Sequence, residues 1–196
     1  MHPDLTPGAQ TLARVVAGLG DDQLGAPTPC HGVTVADLLD HVDGLSLAFT
    51  GAAAKDPDAG RQPPSADGSR LGADWRTRIP DRLGRLAAAW QDDAAWAGMT
   101  RAGGVDLPGE IAGAVTIDEV VVHGWDLAVA TGYAYACDEE LLEAAYGFAQ
   151  GAVARDPGGS PGLFGPPVPV PDGAPLLDRL LGLTGRDPAW RADRQH

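Results

Sequence analysis

The sequence predicts an all-α protein, an antiparallel four-helix bundle with an additional short C-terminal helix. Three observations carry this. Apolar residues recur at three- to four-residue spacing in several stretches, Pro, Gly and Asp mark the joins, and no stretch alternates as a half-buried strand would. With 196 residues, 44% of them hydrophobic, the chain can bury one good core and is short for two, so a single domain over 1–196 is expected.

The first helix is expected over residues 6–19, where Leu12, Val15, Val16 and Leu19 share a face and Gly20, Asp21 and Asp22 end it. The breaker-rich GAPTPCHG follows. Thr34 then caps a second helix running to about residue 54, with Val35, Leu38, Leu39, Val42 and Leu45 on its buried side and Asp37 completing a variant capping box. Residues 55–70 have little to bury and three prolines, which makes them an exposed loop, either a lid or slack.

Helical character returns through Ile79, Leu83, Leu86 and Trp90, with Pro80 either starting or kinking a helix that ends near Ala95. A short connection through WAGMTRAGGVDL leads to Pro108, placed for the first turn of a helix that contains Ile111, Val115, Val122 and Leu127 and stops at Gly132. Asp138 caps a fifth helix, Pro157 ends it, a polyproline-like segment follows, and PLLDRLLGL makes the last short helix.

Charge narrows the function classes. The 14 basic and 27 acidic residues give a formal net charge of −13, which disfavours nucleic acid and anionic membranes as partners. Cys30 and Cys137 form no CxxC pattern, the amino terminus lacks the features of a signal peptide, and no run approaches the ~20 apolar residues of a membrane span. A reducing cytoplasm is the expected location, with a monomer or homodimer as the assembly. There is no P-loop, GxSxG elbow or dinucleotide glycine pattern to carry those chemistries.

The candidate site lies in IDEVVVHGWDLA. Glu119 and His123 are four residues apart, so on a helix they stack on one face. His41, in LLDHV of the second helix, is the natural third donor. Three protein ligands leave the fourth position of a tetrahedral zinc open, which is the catalytic arrangement. Taken singly, His41 has a plainer reading as a boundary residue, and Glu119 with His123 as an ordinary helix-face pair. Burial shifts the balance, because Val120, Val121, Val122, Trp125 and Leu127 make this helix apolar nearly all round, and a carboxylate there needs a cation or several hydrogen bonds.

Asp126 returns to the same stripe and is a candidate to orient a ligand imidazole or bind substrate. Asp37 repeats the four-residue spacing with His41, but its capping position already explains it. His31 stands in a loop near the start of the second helix, within possible reach of a metal or substrate though exposure is its expected fate. Cys30 is expected to be buried and inert, and Trp75, Trp90, Trp96 and Trp125 are available for the core or an interface.

At these residues the chain resembles the DinB-like, metal-binding actinobacterial proteins related to the amino-terminal domain of mycothiol-dependent maleylpyruvate isomerase. TPCHGVTVADLLDHV resembles the family's first motif, DEVVVHGWDLAVATG its second, and FGPPVPVPDGAPLLDRLLGLTGRDPAW the tail of its shorter members. The resemblance implies a DinB-like four-helix core, metal ligands at His41, Glu119 and His123, zinc as the usual metal, and a low-molecular-weight thiol such as mycothiol as co-substrate. Val33 stands where the first motif commonly has tryptophan, and the isomerase's separate carboxy-terminal domain is not expected in this chain.

Two neutral histidines and one carboxylate leave a bound Zn²⁺ with a net charge near +1, which favours an ionised thiol at the open position. Such a thiol can conjugate a small electrophile, or add and leave again to isomerise it. The expected function is therefore a thiol-dependent transferase or isomerase with a small-molecule partner. A non-catalytic metal or small-ligand binder, such as a resistance or regulatory module, is the alternative. A metal-dependent hydrolase and a metal-free scaffold stand further back.

Overall fold

In the computed structural model, residues 2–58, 64–159 and 162–192 are described; residues 59–63 of the anticipated loop, 160–161 of the extended segment and the terminal His196 lie outside them. Helix α1, Thr6–Gly18, starts with a proline in its first turn and buries Ala9, Leu12, Val15 and Val16. Helix α2, Val35–Ala53, begins at Thr34, whose hydroxyl accepts from the Asp37 N–H at 3.2 Å while Asp37 Oδ2 accepts from the Thr34 N–H at 2.9 Å. That reciprocal pair satisfies two end groups of the helix, as the capping-box spacing predicts.

Helix α3, Trp75–Ala89, contains Pro80 in its second turn and ends earlier than expected. Asp92 caps a separate one-turn helix, α4, Asp93–Trp96. The connection that follows is a further correction. It forms an antiparallel hairpin, β1 Met99–Ala102 with β2 Val105–Pro108, in which Ala102 pairs with Val105. Gly103 and Gly104 have φ of 57° and 82°, the two left-handed positions that a tight two-residue hairpin turn requires and that glycine adopts without strain. The strands are too short for their alternation to stand out in sequence, but the Gly-Gly pair was a legible signal. The Thr100 hydroxyl donates to the Ala52 carbonyl at 2.6 Å, which fastens the hairpin to the end of α2.

Helix α5, Gly109–Thr131, is the central element, with 17 buried residues and a left-handed cap at Gly132. Helix α6 covers Glu139–Arg155 and α7 covers Leu176–Leu183. Helices α1 and α2 each pack on both α3 and α5, which makes the four-helix core; α6 packs on α5, and α7 on α6. The tryptophans at 75, 90, 96 and 125 are all buried in this core. Among the described residues, no helix is long and apolar enough to cross a membrane.

Two features of this packing place the site. The α2/α5 contact brings the second turn of α2 opposite the middle of α5. At the other end of the chain, α7 closes with the Gly185 N–H on the Gly182 carbonyl at 3.2 Å and the Arg186 N–H on the Leu181 carbonyl at 2.8 Å, with Gly185 at φ 80°. This helix ending satisfies the last carbonyls and turns the chain back sharply. It directs the Arg186 side chain to α5.

Candidate metal centre

His41 of α2 and Glu119 and His123 of α5 converge. Glu119 Oε2 is 2.9 Å from His123 Nε2 and 3.5 Å from His41 Nε2, and the two imidazoles meet edge to face with centroids 5.1 Å apart. The side chains are mostly buried. His123 Nδ1 lies 2.9 Å from Asp126 Oδ2, three residues further along the same helix. Holding the ring hydrogen on Nδ1 leaves a bare lone pair on Nε2.

That tautomer makes the contact with Glu119 informative. The 2.9 Å approach lacks hydrogen-bond geometry, and Glu119 Oε2 is buried with no hydrogen-bond partner. With His123 neutral, two lone-pair atoms face each other in a buried place and need a cation between them; without a bound cation, a proton on His123 makes the contact an ion pair. Donors about 2.0 to 2.1 Å from a tetrahedral zinc stand roughly 3.3 Å apart, and the two measured separations bracket that value. The three residues fit a divalent cation with one side left open.

Asp126 is completely buried and holds more than the imidazole. Arg186 Nη2 donates to Asp126 Oδ2 at 3.1 Å, Arg186 Nη1 donates to the Thr184 carbonyl at 2.7 Å, and the Cys30 thiol lies 3.3 Å from Asp126 Oδ2 and 3.4 Å from Arg186 Nη2. Cys30 is therefore partly exposed and joined to the site's supporting network, where the sequence suggested an inert buried thiol. Cys30, His123 and Asp126 also lie close enough to share an ion. The Arg186 guanidinium argues against a cation there, because it already neutralises Asp126 and touches Cys30.

The electrostatics follow from burial and these partners. Burial pushes the Glu119 carboxyl upward, but the imidazoles of His123 and His41 outweigh it and hold it well below the usual carboxylate range. Burial likewise opposes ionisation of Asp126, and Arg186 with His123 reverses that. Burial disfavours the charged form of His123, whereas Asp126, Cys30 and Glu119 together raise its value well above the ordinary one. Asp118, beside Glu119 in sequence, is also near Arg186 and His123, but their pull does not offset its burial. Burial first and the Glu119 charge second push it up to about 8, and its Oδ1 is without a partner.

The remaining sequence candidates fall elsewhere. Asp37 caps α2, and its Oδ1 also accepts the Gly68 N–H at 2.8 Å. His31 is exposed and lines a separate depression with Thr28, Val33 and Trp190. Arg186 was not singled out from sequence. Gly185 could have marked the end of α7, but nothing local shows that the next residue meets an aspartate 60 positions earlier.

A cavity of about 510 Å³ opens on His41 and Glu119, with Leu45, Phe49, Val115 and Leu107 among its walls. Residues 5–128, which contain all three converging donors, match the family model described as "Mycothiol maleylpyruvate isomerase N-terminal domain". The chain belongs to that family. As a member of the mycothiol maleylpyruvate isomerase N-terminal domain family, it is also similar to an uncharacterised protein of Mycobacterium tuberculosis, from strains CDC 1551 / Oshkosh and ATCC 25618 / H37Rv. The identity is 32% over 179 residues, covering 89% of this chain and 91% of the relative. Crystal structures of mycothiol-dependent maleylpyruvate isomerase share the fold. A histidine-to-alanine mutant aligns with a TM-score of 0.58 at 18% identity, and a second structure with 0.55 at 19%, each alignment covering 77% of this chain and 69% of the other.

Proposed function

We propose that this family member binds a divalent cation, zinc, through His41, Glu119 and His123, and uses the open side of the centre to activate mycothiol toward a small electrophile. The observation that carries the reading is the pair Glu119 Oε2 and His123 Nε2, buried and 2.9 Å apart without a hydrogen bond. The family description supports mycothiol as the thiol and an isomerase-like reaction. Bound in this ligand set, zinc would supply a Lewis acid that lowers the pKa of a thiol at the open position.

The protein's own residues prepare that position. Glu119 contributes the one negative charge of the ligand set, while His41 and His123 contribute neutral nitrogen donors. Asp126 holds the hydrogen on His123 Nδ1, so Nε2 is aimed and available, and Arg186 neutralises Asp126 so that the supporting carboxylate does not compete for the cation. The cavity beside His41 and Glu119, walled by Leu45, Phe49, Val115 and Leu107, gives the electrophile a largely apolar place next to the centre.

Cobalt substitution tests this reading. The cobalt protein should show a d–d spectrum of a low-coordinate site, and mycothiol should add a sulfur-to-metal charge-transfer band in the near ultraviolet. A cobalt spectrum that millimolar mycothiol leaves unchanged would rule out thiol activation at this centre.

A further inference from the structure

Asp126 Oδ2 is shared by three groups. His123 Nδ1 lies 2.9 Å from it, Arg186 Nη2 donates to it at 3.1 Å and the Cys30 thiol donates to it at 3.3 Å. Arg186 Nη2 also donates to Cys30 Sγ at 3.4 Å, so thiol, guanidinium and carboxylate close a ring behind the imidazole. The Cys30 sulfur, an imidazole nitrogen of His123 and a carboxylate oxygen of Asp126 all lie within 4.8 Å of one another. We infer that Cys30 is a positioning residue for the metal centre, acting through Asp126 on His123, and that capping its thiol as a mixed disulfide with a low-molecular-weight thiol loosens the bound cation. The effect on the cation rests on the metal reading proposed above; the effect on the imidazole does not.

The loop fixes where the sulfur sits. Thr28 Oγ1 accepts from the Cys30 N–H at 3.2 Å and donates to the Val33 carbonyl at 2.8 Å, while the Val33 N–H donates to the Cys30 carbonyl at 3.0 Å. This closed turn runs directly into Thr34, the cap of the helix that carries His41. Its backbone therefore holds the thiol against Asp126.

Losing the thiol hydrogen changes what Asp126 can do. Without that donor, the carboxylate is free to turn toward the charged guanidinium, the stronger partner, and away from the imidazole. In a mixed disulfide Sγ has no hydrogen to give. A sulfur lone pair then faces the oxygen of a carboxylate that is completely buried, and the two are driven apart. Either change releases the contact that sets the tautomer and aim of His123.

The modification balances as an exchange in which a low-molecular-weight disulfide is the oxidant. The Cys30 sulfur attacks one of its sulfurs, a new S–S bond to Cys30 forms, the disulfide's own S–S bond breaks, and the released thiol takes the Cys30 proton. Cys30 is partly exposed and beside a guanidinium, a setting that favours such exchange. Cys137 is a poor competitor, because burial, with Asp138 adding to it, pushes its thiol up to about 11 against the pull of Tyr135.

The test uses the full chain with the substitution C137S, so that Cys30 is the one thiol, and hydroxyethyl disulfide as the probe. Peptide mass mapping should find the adduct on Cys30. Zinc affinity, read by competition with a chromophoric chelator once small molecules are removed, should fall about tenfold or more in the adduct and recover after reduction. Adding C30A should weaken zinc by about tenfold before any treatment, whereas C30S keeps a donor and should stay nearer the parent. In metal-free protein, the His123 Nδ1 nitrogen resonance should shift in C30A and in the adduct, and less in C30S.

No adduct on Cys30, an adduct with unchanged zinc affinity, or a C30A protein that matches the parent in both zinc affinity and imidazole resonance would overturn the inference. A parent that binds no zinc defeats the metal reading by itself, and the imidazole resonances of the metal-free proteins then decide the positioning role.

Discussion

Asp126 joins His123 to Arg186: its Oδ2 lies 2.9 Å from the imidazole Nδ1 and 3.1 Å from the guanidinium, inside a fully buried setting. The carboxylate orients one group and is neutralised by the other. D126N should therefore weaken metal affinity by about 10- to 100-fold while the three donors remain present. R186M should be costly in a different way, because it leaves Asp126 charged and buried without its guanidinium partner, with only the His123 imidazole and the Cys30 thiol beside it; about 3 to 5 kcal/mol of stability should be lost. The double variant D126N/R186M should recover part of that loss in urea denaturation. Additive losses in the double variant would show that the two groups are not energetically coupled.

His123 is the donor whose removal separates folding from metal binding. H123A should lose most bound zinc yet keep its helical circular dichroism, since the apolar core is built from the packed helices rather than from the ion. Elemental analysis after dialysis measures the stoichiometry. Full zinc occupancy in H123A would remove this residue from the ligand set.

Asp37 provides a pH prediction away from the converging donors. Hydrogen bonds from the Thr34 hydroxyl, and then from the Gly68 and Thr34 N–H groups, hold its carboxyl below the usual value of 3.8. A depressed folded value means that the unfolded chain binds protons more readily, so this contribution is fully present above about pH 4 and disappears as pH falls through the lower folded value. D37A should cost about 1 kcal/mol at neutral pH through loss of the cap, with the difference from wild type shrinking in acid. Zinc content should be unchanged. A D37A protein that loses its zinc would place Asp37 in the metal site instead of the cap.

Gly113 lies where α5 passes the Trp96 indole. A Cβ built there would come within 2.3 Å of Trp96 Cζ3, closer than any side-chain contact tolerates. G113A should destabilise the protein by about 1 to 3 kcal/mol through overpacking, and combining it with W96L should return part of the loss. Thermal melts of the two variants and their combination measure the coupling. A neutral G113A would show that the α4 turn yields easily to the helix.

The donor pattern on α5 was readable because it is local. Glu119, His123 and Asp126 are placed on one stripe by the helical period alone, and the caps at Thr34, Asp138 and Gly132 follow from end groups that only nearby atoms can satisfy. The same locality explains the limits. Glycine spacing at 103 and 104 specified a tight turn, but four-residue strands contain too little alternation to distinguish a hairpin from a connection. Whether His41 faces Glu119 depends on the register of two packed helices, and Cys30 and Arg186 reach Asp126 from 96 and 60 residues away. The chain by itself determined the long helices, the caps at Thr34, Asp138 and Gly132 and the stripe of donors along α5, because short-range sterics and hydrogen bonding decide those, while the early end of α3 at Ala89 and the separate α4 turn were not read from it. Only packing decided that a loop thiol and an arginine beyond the last helix close around the aspartate behind His123, since buried charges find their partners in space.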